Sequence, residues 1–184
     1  MSLVAVLVLA GTGCTGDADG PAAGPSPSSS EAAAPEDLTD VSVGQVTGQI
    51  DPGAAESVAA EVGDLVDDYL DWAYLGDYPR TDWSTPAPGF TPRAQRALQR
   101  DLLLMTNAAE GADLTAVTSD ERVVSVDVFA PRGTPAGATA RYRVTFTTES
   151  AAGEQQRIAR GRLILSPAAT GGWEIVGYYA GEAS

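Results

Sequence analysis

This chain of 184 residues predicts an α+β fold: two N-terminal helices packed on a curved antiparallel sheet of four to five strands. Three observations predict it. Apolar side chains recur at helical spacing between residues 52 and 106. After Gly111 their period drops to two, the spacing of a half-buried strand. Clusters of Gly, Pro, Ser and Asp cut both blocks into segments of ordinary element length. Helices first and strands afterwards place the helices on one face of the sheet. The domain covers 51–184, behind a signal segment over 1–13 and a linker over 14–50.

The chain opens with an apolar run, Leu3–Ala10, far short of the ~20 residues a membrane-spanning helix needs. The run suits the apolar core of a signal peptide. No Arg or Lys precedes it, and a start codon assigned too far downstream accounts for that. Gly11, Thr12 and Gly13 lead to Cys14, the only cysteine. This junction resembles a bacterial lipoprotein signal. The resemblance implies that Cys14 is lipidated, becomes the first mature residue and anchors the chain on the outer face of the cytoplasmic membrane. The other reading is an ordinary secretory signal and a secreted chain. Residues 15–50 read as a disordered tether, punctuated by Pro21, Pro25, Pro27 and Pro35 and lacking apolar periodicity. As a flexible coil it spans roughly 30–36 Å root-mean-square. Its last part, Val41–Ile50, is less polar and reads either as linker or as an added edge strand.

The first helix is expected over 52–75. Asp51 is the N-cap, Pro52 the first helical residue and Gly76 the stop. Val58, Val62, Leu65, Val66, Tyr69, Trp72 and Ala73 form its apolar face. Asp64, Asp67, Asp68 and Asp71 form an acidic face, which lacks the loop and spacing of a calcium hand and reads as solvated. A proline-rich loop with Trp83 follows. Thr91 and Pro92 then open a second helix over 92–106, with Ala94, Leu98, Leu102 and Met105 as its buried stripe. Arg93, Arg96 and Arg100 make a basic edge expected to meet the acidic face of the first helix. Asp101, between Leu98 and Leu102, reads as a cavity acid or as the partner of a nearby arginine. Strands are expected over 113–118, 122–130, 138–148, 157–165 and 173–179.

Hairpins symmetric about their turns sort the strand side chains by face. The inner face carries Val128, Ala140, Leu165 and Trp173 in one row, then Val126, Tyr142, Leu163 and Ile175. The next row is Val124, Val144, Gly161 and Gly177, with Phe146, Ala159 and Tyr179 beyond. Gly161 opposite Gly177 thins the sheet there. Either a helix aromatic such as Trp72 fills the gap, or a ligand cavity lies between sheet and helices. The lining residues would be Tyr69, Trp72, Asp101, Tyr142, Gly161, Trp173, Gly177 and Tyr179. The outer face groups Asp127 with Arg141, and sets Arg143, Arg160 and Arg162 beside them. That patch reads as the solvated face of an open sheet or as a site for an acidic partner.

Composition narrows the chemistry. All eleven basic residues are arginine, and histidine and lysine are absent. Histidine-dependent nucleophile systems, histidine metal sites, Schiff bases and P-loops are therefore excluded. No metal or cofactor is expected. Fifteen of the 25 acids but one arginine lie in residues 1–82, so the net charge of −14 belongs to the linker and first helix. A nucleic-acid partner does not fit that balance.

The terminal segment Trp173-Glu174-Ile175-Val176-Gly177-Tyr178, behind two helices and a curved sheet, resembles the nuclear transport factor 2-like, or cystatin-like, superfamily. More narrowly, the pattern looks like uncharacterised actinobacterial lipoproteins and mammalian cell entry-associated proteins of that fold. The resemblance covers residues 54–182 and implies a cone-shaped cavity between helices and sheet. Members include small enzymes and non-catalytic binding modules. The expected function is thus a membrane-tethered, non-catalytic binding or accessory domain in envelope assembly or transport, with an envelope protein or a small apolar ligand as partner. The alternative is a small enzyme or carrier using the cavity.

Overall fold

A computed structural model describes residues 39–180 of the chain, the side chain of Ala180 excepted. The signal segment, Cys14 and most of the linker lie outside the described residues. The elements run β1 (Asp40–Gly48), α1 (Pro52–Leu70), a π-helical turn (Asp71–Leu75), α2 (Pro92–Arg100), α3 (Leu102–Met105), a 3-10 turn (Asn107–Ala109), β2 (Leu114–Ala130), β3 (Gly137–Ser150), β4 (Gly153–Pro167) and β5 (Trp173–Ala180). The fold is α+β, with one five-stranded sheet in the order β1-β2-β3-β4-β5.

The sheet is mixed rather than antiparallel. β1 pairs parallel with β2, while the remaining pairs are antiparallel. β1 falls in the segment assigned to the linker, so the folded unit begins ahead of residue 51. Parallel neighbours need a crossover, and α1 lies in it, packed across β1, β2 and β3. The approach is close: a Cβ on Gly63 of α1 would lie 2.7 Å from Val41 Cγ2. Of β1, Val41 and Val43 reach the core, which is why its sequence reads as linker. The two segments expected over 113–118 and 122–130 are one strand, β2, with a bulge between Ser119 and Glu121.

The helix caps follow the sequence. Asp51 Oδ1 accepts from Gly53 N at 2.9 Å, and Thr91 Oγ1 accepts from Ala94 N at 3.3 Å. The second helix does not run unbroken to 106. It breaks at Asp101, whose φ of −105° and ψ of 16° leave helical values, and resumes for one turn. α2 packs against β5. The edge of β5 is covered by the loop before α2: Ile175 N donates to Gly89 O at 2.8 Å and Ile175 O accepts from Thr91 N at 3.0 Å.

The core lies between helices and sheet. Val62, Val66, Tyr69, Leu98 and Met105 close on Val124, Val126, Val144, Leu163 and Ile175, all fully buried. The inner and outer faces of β2, β3 and β4 are those the alternation predicts. The rows differ by two residues. Val128 pairs with Ala138 and Val126 with Ala140, because the first hairpin closes nearer its proline. Tyr142 pairs with Gly161, because the second hairpin turns tightly through Ala151 and Ala152. A bulge in β5 then places Leu165 opposite Ile175 but Ile164 opposite Gly177. Beyond it every β5 side chain changes face.

Candidate functional site

The interior expected to hold a cavity is filled by aromatic rings. Tyr69 stands at its centre, with ring centroids 5.4 Å from Phe90 and 5.9 Å from Tyr142. Tyr74 and Phe146 continue the cluster at 5.8 Å from each other. The Tyr69 hydroxyl donates to Met105 O at 2.8 Å. Gly161 is the position over which Tyr142 folds: a Cβ there would collide with the phenol. The thin spot in the sheet therefore holds its own cross-strand neighbour, not a ligand and not Trp72. Burial pushes the phenols of Tyr69 and Tyr74 well above their ordinary range and raises that of Tyr142. These hydroxyls stay protonated at neutral pH.

Trp72 packs elsewhere. Its ring meets Trp83 edge to face at 5.6 Å, and the Arg80 guanidinium lies 3.7 Å from the Trp83 centroid and 5.4 Å from that of Trp72. The guanidinium also donates to Trp72 O. Cation–π contact and a satisfied carbonyl make this a clamp between the start of the π-helical turn and the loop that follows it. Trp173 packs partly buried against the core. Gly177 and Tyr179 do not line the interior. The β5 bulge puts Gly177 opposite Ile164 and turns Tyr179 outward, 63% exposed. Tyr178 takes the inward position instead.

Tyr178 is the partner of Asp101. Its hydroxyl donates to Asp101 Oδ2 at 2.7 Å, so the carboxylate is neither a free cavity acid nor an arginine partner. Desolvation first, and the Asp101 carboxylate second, raise the Tyr178 phenol. It stays protonated and cannot act as a base near neutral pH. The sequence hid this pair because the bulge that reverses Tyr178 and Tyr179 leaves no mark in the alternation.

The acidic face of α1 meets β2 rather than the basic edge of α2. Arg122, buried on the inner face, lies 2.7 Å from Asp67 and 3.1 Å from Asp71. Thr39 also donates to Asp67. Asp71 is raised, chiefly by desolvation, with Arg122 opposing. Among the described residues no group of three or more acids or thiols is placed to hold a metal ion.

The four arginines named on the outer face divide into two kinds. Arg141 binds Asp127 through both terminal nitrogens, at 2.7 and 2.9 Å, from the position opposite Ser125. Asp127 also accepts from Gln45 N at 2.7 Å at the irregularity in β1. This pair holds the edge strand. Arg143 bonds Glu121 at 2.8 Å. Arg160 pairs in register with Arg143 and Arg162 with Arg141. Both are exposed, and among the described residues neither forms an ion pair. Tyr179 stands opposite Arg162 in the next strand. The outer face thus presents two uncommitted guanidinium groups and an exposed phenol on a rigid sheet. Planar donors of this kind recognise carboxylates and phosphates.

A groove of about 450 Å³ opens on the other side, between α3 and the free part of β4. Tyr74, Phe146 and Ala159 line it, with Leu103 and Leu104 on one wall and Arg157 on the rim. Arg157 is bonded to Glu110 at 2.8 Å. The sequence carried a signal for this wall: Leu103 and Leu104 are apolar residues outside the buried stripe.

Comparisons of the chain with family models, curated proteins and solved structures found no match.

Proposed function

We propose that this is a membrane-tethered extracytoplasmic lipoprotein whose domain is a non-catalytic binding module, on a nuclear transport factor 2-like (cystatin-like) scaffold. In this reading Cys14 carries the lipid, and residues 15–38 act as the tether. The domain assists envelope assembly or transport by holding an acidic partner on the outer face of its sheet. One observation carries the reading. The centre of the space between helices and sheet is occupied by Tyr69, Tyr142, Leu98 and Met105, while exposed Arg160 and Arg162 stand near Tyr179 on the open face. This arrangement supports binding at a surface rather than in the packed centre of the domain.

In-cell crosslinking of the tethered chain tests it. The wild type is expected to yield a defined adduct. Reversing both charges, R160E/R162E, is expected to lower its yield at least tenfold, since each charge-assisted contact is worth about 1.5–3 kcal/mol. An adduct unaffected by the reversal would overturn the assignment of the face. Palmitate-analogue labelling that persists in Cys14→Ser would remove the anchor.

A further inference from the structure

We propose that the exposed face of α2 and α3 docks on an anionic lipid bilayer, with Leu103 and Leu104 entering the head-group layer and Arg93, Arg96 and Arg100 meeting lipid phosphates. α2 spends its inner face on the core through Ala94 and Leu98, and Met105 does the same for α3. Arg93, Arg96 and Arg100 are left exposed, and among the described residues none of the three forms an ion pair. At 3.6 residues per turn, positions 93, 96, 100, 103 and 104 fall within about 100° of one helix face. α3 follows α2 directly at Asp101, whose N–H donates back to Ala97 O and Leu98 O, at 3.3 and 3.0 Å, and whose carbonyl accepts from Leu104 N and Met105 N, at 2.9 and 3.1 Å.

Leu103 and Leu104 are 66% and 72% exposed, the highest values among the exposed large apolar side chains. Neither belongs to the core cluster or packs against it. Beside three arginines they form the pattern of a surface that lies in a membrane interface, apolar groups inserted and cations at phosphate level. The acids are placed to orient the domain. The Asp101 carboxylate is engaged by Tyr178. On the acidic face of α1, Asp67 and Asp71 pair with Arg122 of β2 while Asp64 and Asp68 stay exposed, whereas α2, with its arginines, packs against β5. An anionic bilayer repels the first face and attracts the second. Docking by the helix layer leaves the outer face of the sheet, with Arg160 and Arg162, turned from the membrane. The inference is independent of whether Cys14 is lipidated. It adds a second, reversible attachment that orients the domain on the bilayer.

Vesicle flotation with the full chain carrying Cys14→Ser tests it, since no lipid then contributes. Binding is expected to vesicles of equal parts phosphatidylglycerol and phosphatidylcholine, to weaken as sodium chloride is added, and to be absent with phosphatidylcholine alone. Leu103→Ser with Leu104→Ser is expected to lower partitioning roughly tenfold or more. Glutamine at positions 93, 96 and 100 is expected to lower it roughly a hundredfold. The single variants Leu103→Ser and Arg96→Gln give graded losses on surface positions if a multiple variant folds poorly. No vesicle binding, equal binding to neutral vesicles, or variants that bind like the parent would each overturn the proposal. A photo-crosslinker at position 103 that captures a protein while vesicles are ignored would reassign the face to a protein partner.

Discussion

Gly161 and Tyr142 form one unit: the absent side chain of one is the seat of the other's ring. Alanine at 161 must displace the phenol from a packed core, so Gly161→Ala is expected to cost about 1–3 kcal/mol, read as a lower midpoint in urea unfolding. The pair Tyr178–Asp101 is equally specific. Tyr178→Phe leaves the ring in place and removes a hydrogen bond to a carboxylate. It is expected to cost about 1–2 kcal/mol by the same measurement. The identity of each of these residues was plain in the sequence, but the partners were not. Gly161 was visible as a gap and Asp101 as an acid among leucines. Naming what each touches required register to within one residue, and alternation gives only the face.

At the scale of elements, legibility tracked the strength of the local signal. Caps at Asp51 and Thr91 and the faces of β2, β3 and β4 follow from side-chain chemistry and period alone. Register did not, because it depends on how tightly each hairpin closes. The second hairpin turns through Ala151 and Ala152, residues without turn chemistry of their own. The bulge at Val176 lies where a loop strand, Gly89–Thr91, bonds both backbone groups of Ile175, a long-range event no window detects. β1 was nearly invisible, since Val41 and Val43 are its contacts with the core. Besides its parallel ladder to β2, it is tied by the Asp127 carboxylate, which serves the Gln45 amide and Arg141 together. Asp127→Ala is expected to loosen β1 selectively. Amide exchange in Asp40–Gly48 should then accelerate while that in β3 and β4 stays slow; uniform acceleration would show that β1 is not held this way.

For the whole molecule, the aromatic interior sets an alkaline limit. Unfolded phenols ionise near pH ~10, whereas burial holds Tyr69, Tyr74 and Tyr142 above that range in the fold. Above this pH the folded state therefore binds more protons than the unfolded state, and stability falls as pH rises. Each fully protected phenol contributes a slope of up to ~1.4 kcal/mol per pH unit. Stability is full below pH ~10 and is lost above it. Tyrosinate absorbance from the buried rings should therefore appear together with the loss of far-ultraviolet circular dichroism, as one transition.

The same packed interior supports the proposed reading of the domain as a surface binder rather than a container. Charge divides the chain into an acidic first part and a balanced second part, with Arg160 and Arg162 exposed on the sheet and Arg93, Arg96 and Arg100 on α2. The most direct measurement is native mass spectrometry of the Cys14→Ser chain, purified from its own cells without detergent. The expected spectrum contains the polypeptide mass alone. A small molecule retained in stoichiometric amount, and released only when the fold is lost, would contradict the filled interior and the surface-binding function built on it.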